Sequence, residues 1–149
     1  CSSRGLGDVY KRQGPGVAAG ESTQALANSV DLFSTVLDLA GTGPDDRLDA
    51  TTVDGVSLAP VLENPGTSAR DFAYVDVFGP QQGRIADRHA IRDERYKFIR
   101  DRRTDTLEFY DLSADPWEKV NLLDGELTAE QQLAYDNLVK KIDALQASR

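Results

Sequence analysis

Four runs rich in aromatic and β-branched residues, each closed by a short polar reversal and followed by one amphipathic helix, narrow most sharply how this chain can fold. Phe72–Phe78 is the first run; His89–Arg92 and Tyr96–Arg100 flank Asp93-Glu94-Arg95; Thr106–Leu112 follows the polar turn Asp101–Asp105. Such runs read as strands. Reversals this short leave no room for a crossover helix, so the strands are expected to pair antiparallel. Gly79-Pro-Gln-Gln-Gly83 is expected to break the first strand and leave Gly79–His89 as a loop. Beyond a tight turn at Asp115-Pro-Trp-Glu118, Thr128 and Gln131 have capping-box spacing, and Tyr135, Leu138, Ile142 and Leu145 form an apolar seam. That seam has to be buried, most simply across one sheet face. A coiled-coil partner is the alternative, but two heptads are short for one.

The first half reads differently. A helix is expected over residues 29–41, with Ser29 as cap, Asp31 in the first turn and Gly41 at the C-terminal stop. Val30, Phe33, Val36, Leu37 and Ala40 recur at helical spacing, and Leu32 and Leu39 widen the stripe. A stripe that wide suits packing on a large sheet, most of which this chain does not contain. Thr42–Val53 reads as a solvated loop, since its acids lack the Asp-x-Asp-x-Asp-Gly order of a calcium loop. In Asp54–Leu62, Ser57 can cap a short helix that tolerates Pro60 in its first turn, and Asn64-Pro-Gly66 ends it.

The 149 residues suffice for a real core. A net charge of -8 argues against general nucleic-acid binding, and no apolar run is long enough for a transmembrane segment. Residues 84–103 run against the overall balance, with eight Arg/Lys and four acids. That strip could steer an anionic ligand, although outward charges are ordinary on exposed strands. The single Cys, Cys1, excludes an internal disulfide, and residues 1–13 hold no signal-peptide apolar core. Cys1–Gln13 resembles a translated library adapter and reads as an artefact or a disordered arm.

Chemistry-bearing constellations are sparse. His89 is the sole histidine, no Gly-x-Ser-x-Gly elbow is present, and no close His/Cys set suggests zinc. His89 reads first as a hydrogen-bonded surface residue.

Several blocks together resemble the end of a sulfatase. These are Arg92-Asp-Glu-Arg-Tyr-Lys97, Glu108-Phe-Tyr-Asp-Leu112 and Asp115-Pro-Trp-Glu-Lys-Val-Asn-Leu122, preceded in order by Val30–Gly41 and Asp54–Leu62. Ser34 departs from the family segment, where Pro is usual. The resemblance spans about Gly14 to Leu123. It implies an α/β, alkaline-phosphatase-like fold of which this chain holds a fragment: residues 14–70 as the end of the large domain, and 71–149 as an α+β C-terminal subdomain. That subdomain would carry a four-stranded antiparallel sheet and a helix over 128–147.

In such enzymes a formylglycine, made from Cys in Cys-x-Pro/Ala-x-Arg, attacks sulfur beside a calcium ion. Cys1 is followed by Ser2-Ser3-Arg4, the wrong register for that nucleophile. The resemblance therefore implies no catalytic residue and no metal ligand in this chain, with calcium belonging to the full-length enzyme. It offers Arg84, Arg88 and His89 as substrate-cleft candidates for a sulfate ester, such as that of a sulfated carbohydrate. The expected function is that of a sulfatase C-terminal portion, inactive alone. The alternatives are the tail of a phosphonate or phosphodiester hydrolase of the same superfamily, or a non-catalytic module binding anionic glycans. The compartment stays open among periplasmic, secreted and lysosomal.

Overall fold

The computed structural model describes residues 16–42, 54–81 and 84–147. Its centre is one sheet of β1 (Ala73–Gln81), β2 (Arg84–Arg92), β3 (Tyr96–Asp101) and β4 (Thr106–Asp111). The strands pair antiparallel in chain order. The two inner reversals fall where the polar residues predict them.

The first reversal does not. Gly79 and Pro80 continue β1, and β2 begins at Arg84 rather than His89. In place of the expected loop, Gly79–Gln81 pairs residue by residue with Arg84–Ala86. The physical reason is that β1 is an edge strand, so the missing proline N–H can fall on the side with no partner. Gly79 adopts φ +94, a conformation that glycine reaches without strain.

Period-two alternation sends Tyr96, Phe98, Ile91 and Phe109 to one face. There they meet Leu138 and Ile142 of α3 (Ala129–Ala147). Phe98 and Phe109 are fully buried, and Tyr135 sets its ring edge-on to both at 5.4 and 5.5 Å. The helix seam thus lies on the sheet. Its capping box forms as the spacing requires: Thr128 N–H donates to Gln131 Oε1 (2.9 Å) and Gln131 N–H to Thr128 Oγ1 (3.3 Å).

The Asp-Pro turn is held by side chains rather than by a ladder. Asp115 Oδ2 accepts from the N–H groups of Lys119 (2.6 Å) and Val120 (2.9 Å). Asn121 Oδ1 accepts from Phe109 (2.9 Å) and Leu123 (3.2 Å), and its amide donates to the Leu107 carbonyl (3.2 Å). The Asp-Pro-x-Glu-x-x-Asn-Leu block is therefore a clasp on the edge of β4.

At the other end of the sheet, Arg95 donates to both carboxylate oxygens of Asp111 (2.8–3.2 Å). These bonds hold the Asp111 carboxyl below the usual carboxylate range and the Arg95 guanidinium above its own. A depressed carboxyl stabilises above its unfolded pKa of about 4, and that contribution is lost as pH falls through the folded value. Stability is thus expected to drop below about pH 4. Asp111→Asn should lower stability at pH 7 and flatten that acid limb in urea titrations.

The first half forms α1 (Asp31–Leu39) and a short α2 (Ala59–Glu63). Ser29 does not cap α1. No side chain caps its first position; instead Asp31 Oδ2 accepts the Asn28 N–H (2.7 Å). Gly41, at φ +66, closes α1 as expected, with Gly41 N–H to Asp38 O (2.9 Å) and Thr42 N–H to Leu37 O (3.1 Å). Ser57 is not the N-cap of α2, which is Leu58 with no side-chain cap; from one residue earlier its Oγ accepts the Ala59 N–H (3.1 Å). Most of the Thr42–Val53 loop and residues 1–13 lie outside the described residues.

α1 is inverted relative to an ordinary surface helix. Its buried residues are Asp31 and Thr35, whereas Phe33 and Val36 are 51% and 63% exposed. The polar side is buried because the segment after the loop lies along it. Val56 N–H donates to Asp31 Oδ1 (3.0 Å), Leu58 N–H to Thr35 Oγ1 (2.8 Å) and Ser34 Oγ to the Gly55 carbonyl (2.9 Å). Gly55 is required here, since a Cβ would lie 2.4 Å from the Val30 carbonyl oxygen.

Candidate functional site

Of the three cleft candidates, Arg88 and His89 are neighbours on β2 and so point to opposite faces. Arg88 lies on the open face, away from α3, where it pairs with Glu108 (3.2 Å) and Asp101 (3.7 Å). His89 faces the α3 side and is 2% exposed, so the surface reading of this residue is wrong. Its position in the middle of a strand, rather than at a strand start, accounts for the burial. Arg84 begins β2 opposite Gln81. Arg88 and His89 therefore do not converge on one point.

His89 is nonetheless well held. Its Nε2 donates to Asp87 Oδ1 (2.8 Å), and Nδ1 lies 3.0 Å from the Tyr74 hydroxyl. Asp87 sits two residues away on the same strand, and Tyr74 lies on the neighbouring strand. Sequence reasoning missed this cluster, although the two-residue spacing of Asp87 and His89 was its one available signal. These contacts join β1 to β2 at the buried imidazole.

The open face is ordered in rows by the register. Val75, Ala90, Ile99 and Glu108 lie side by side, as do Ala73, Arg92, Lys97 and Tyr110. Lys97 Nζ bridges both carboxylate oxygens of Glu118 at 2.8 Å, tying the Asp-Pro turn to this face. Tyr110 donates to Glu108 Oε2 (3.0 Å). Burial and that carboxylate push the phenol up to about 12, so it stays protonated near neutrality and offers no base.

The same pairing answers the question of the basic strip. Arg88, Arg95, Lys97 and Arg100 each hold a carboxylate. Half of the strip's eight basic residues are thus paired, and Arg88 and Arg95 among them remain partly exposed. Among the described residues no three His, Cys, Asp or Glu side chains gather as a metal site. No helix among them is long and apolar enough to cross a membrane.

The described residues form a meander backed by one helix, with clasped turns. Comparison with known proteins gives it a family. Residues 12–148 match the model of the N-sulphoglucosamine sulphohydrolase C-terminal region, and the chain belongs to the sulfatases. It is 32% identical over 131 residues to an N-acetylglucosamine-6-O-sulfatase of Bacteroides thetaiotaomicron, a match covering 84% of this chain and 22% of that protein. Human (Homo sapiens) arylsulfatase A is 30% identical over 154 residues, covering 89% of this chain and 29% of the relative. The chain thus spans well under a third of the length of these relatives.

Among solved structures, BT4656 in complex with its substrate D-glucosamine-2-N,6-O-disulfate superposes with a TM-score of 0.71 at 31% identity. That match covers 88% of this chain and 26% of the other. BT1596, a 2-O GAG sulfatase, shares the fold at a TM-score of 0.64 and 24% identity, over 91% of this chain and 27% of its own.

Proposed function

We propose that this chain is the C-terminal part of a sulfuric ester hydrolase acting on a sulfated carbohydrate, and that it supplies scaffold and cleft rim rather than the reacting groups. The supporting observation is the match to a sulfatase C-terminal model, combined with the absence from the sequence of any Cys/Ser-x-Pro/Ala-x-Arg. In this reading the formylglycine nucleophile and the carboxylate and amide ligands of a calcium ion lie upstream. A calcium ion held there would supply charge neutralisation of the sulfate oxygens. The sulfated amino sugar bound by BT4656 supports a substrate of that class.

The test is sulfate release from a sulfated glucosamine by the full-length polypeptide, with phosphate and phosphonate esters run in parallel. Preference for the sulfate ester is expected. Preference for a phosphate or phosphonate ester would assign the chain to the phosphohydrolase branch instead.

Among the cleft candidates, Arg84 is the one to test first, because Arg88 is already paired and His89 is buried. Arg84→Ala in the full-length enzyme is expected to raise KM about tenfold with kcat little changed, the loss of one charge-assisted hydrogen bond of about 1.5 kcal/mol. An unchanged KM removes the β1–β2 hairpin from the cleft.

A further inference from the structure

We infer that the depression between the β2–β3 turn and the first two turns of α3 is a binding site for a small alkylammonium ligand, a primary amine on a short apolar stem. None of its residues is among the cleft candidates, so it stands apart from the proposed reaction.

The depression has a volume of about 470 Å³ and lies where three segments meet. Asp71 comes from the approach to β1, Asp93 and Glu94 from the β2–β3 turn, and Glu130 and Leu133 from α3. Four carboxylates thus share the lining with one guanidinium, that of Arg95, which is already held by Asp111 (2.8 Å) and Glu130 (2.7 Å). Asp93 Oδ1 accepts the N–H groups of Arg95 (2.8 Å) and Tyr96 (2.6 Å), whereas the Asp71 and Glu94 carboxylates meet no donor among the described residues. The local balance is negative and favours a cation.

Carboxylates this exposed attract counter-ions only weakly. Tyr96 makes the depression more than an acidic surface. This residue is 4% exposed and lines the depression, and its hydroxyl is buried with no hydrogen-bond partner among the described residues. The ring is held by the Arg95 guanidinium at 4.8 Å and by Phe109 at 5.3 Å, which fixes the hydroxyl in place. Burial is the main cause that raises the phenol pKa; Arg95 opposes it, and Glu130, Asp111 and Asp93 add to it. The group is therefore a neutral hydroxyl near neutrality. A buried hydroxyl without a partner is costly, and an N–H donor offered to its oxygen removes that cost.

Two features set the ligand class. Among the described residues these carboxylates do not gather as a three-ligand metal set, which suits a cation with several N–H donors better than a bare metal ion. Leu133, 64% exposed, and Ala134 place apolar surface beside the charges, where a methylene stem can lie.

Saturation-transfer NMR of cadaverine with the full-length polypeptide tests the site, with n-pentanol as the neutral comparison and calcium chloride as competitor. Cadaverine is expected to bind with a Kd of about 1 mM, and n-pentanol to show no transfer. Tyr96→Phe should weaken cadaverine about tenfold, the loss of one hydrogen bond, without lowering the melting temperature. Asp71→Asn combined with Glu94→Gln should weaken it further. Unchanged binding to Tyr96→Phe would reduce the depression to a counter-ion surface and overturn the assignment. So would equal transfer to n-pentanol, displacement by equimolar calcium, or a Tyr96→Phe variant that melts lower because its hydroxyl had a structural partner. Absence of cadaverine binding, with a carbodiimide-formed amide joining Asp71 or Glu94 to a lysine of the same polypeptide, would replace the free ligand by a side chain and also overturn it. Sulfate release from the same sample is read separately: an inactive protein that binds cadaverine supports this site and sinks only the enzymatic reading.

Discussion

Phe98→Ala is expected to destabilise the chain by about 3–5 kcal/mol, the usual cost of removing a buried aromatic ring. The ring has no exposed surface and lies among Ile91, Phe109, Tyr135 and the α3 seam. Neighbours on both sides are held in place, by the strand ladder below and the helix above, so the cavity can collapse only in part. Natural domains have about 5–15 kcal/mol in total, so this one change removes a large fraction. Urea unfolding followed by far-ultraviolet circular dichroism should show a lower midpoint with a similar slope. Phe98→Leu, which refills most of the space, should recover a good part of the loss. A loss under about 1 kcal/mol for the alanine variant would mean that α3 does not pack on this face as described.

Asp31→Ala should cost about as much, but locally. Asp31 is fully buried and serves three segments at once: the Asn28 N–H, the Val56 N–H and the Arg70 guanidinium. Breaking a buried ion pair from one side leaves an uncompensated charge, here Arg70, and typically costs about 3–5 kcal/mol. The pair joins α1, the segment at Val56 and the approach to β1, but touches none of the aromatic residues in the sheet core. Amide hydrogen exchange should therefore speed up in α1 and residues 54–58 and stay slow in β2, β3 and β4. Exchange that rises throughout the sheet would instead make the two halves one cooperative unit. Asp31→Asn keeps the shape but loses the charge opposite Arg70, and should fall close to the alanine variant.

The sheet and α3 were legible in the sequence because local signals agreed there. Asp93-Glu94-Arg95 and Asp101–Asp105 mark reversals, alternation fixes the faces, and Thr128 with Gln131 marks a helix start. The β1–β2 hairpin was misread at Gly79-Pro80, because those residues break a central strand but are tolerated on an edge, and edge position is a property of the whole sheet. The α1 stripe was read correctly as apolar, but its Ser29 cap was not. No side chain caps α1; the Asp31 carboxylate instead ties Asn28 to Val56 and Arg70, which lie far along the chain.

The candidate site was less legible for a similar reason. Arg88 and His89 are adjacent in sequence and on opposite faces in space, and the basic strip meets its acids only after the strands pair. The Asp-Pro turn was read as a family mark. In the structure it is a clasp, with Asn121 tying β4 to the segment that leads to α3.

The central claim is that these residues form the non-reacting C-terminal part of a sulfatase. Mass spectrometry of the native polypeptide carrying this sequence tests it most directly. The expected result is a product several times longer than 149 residues with a formylglycine upstream, in a Cys/Ser-x-Pro/Ala-x-Arg context. A native product limited to these residues, or a longer one without that motif and modification, would contradict the account.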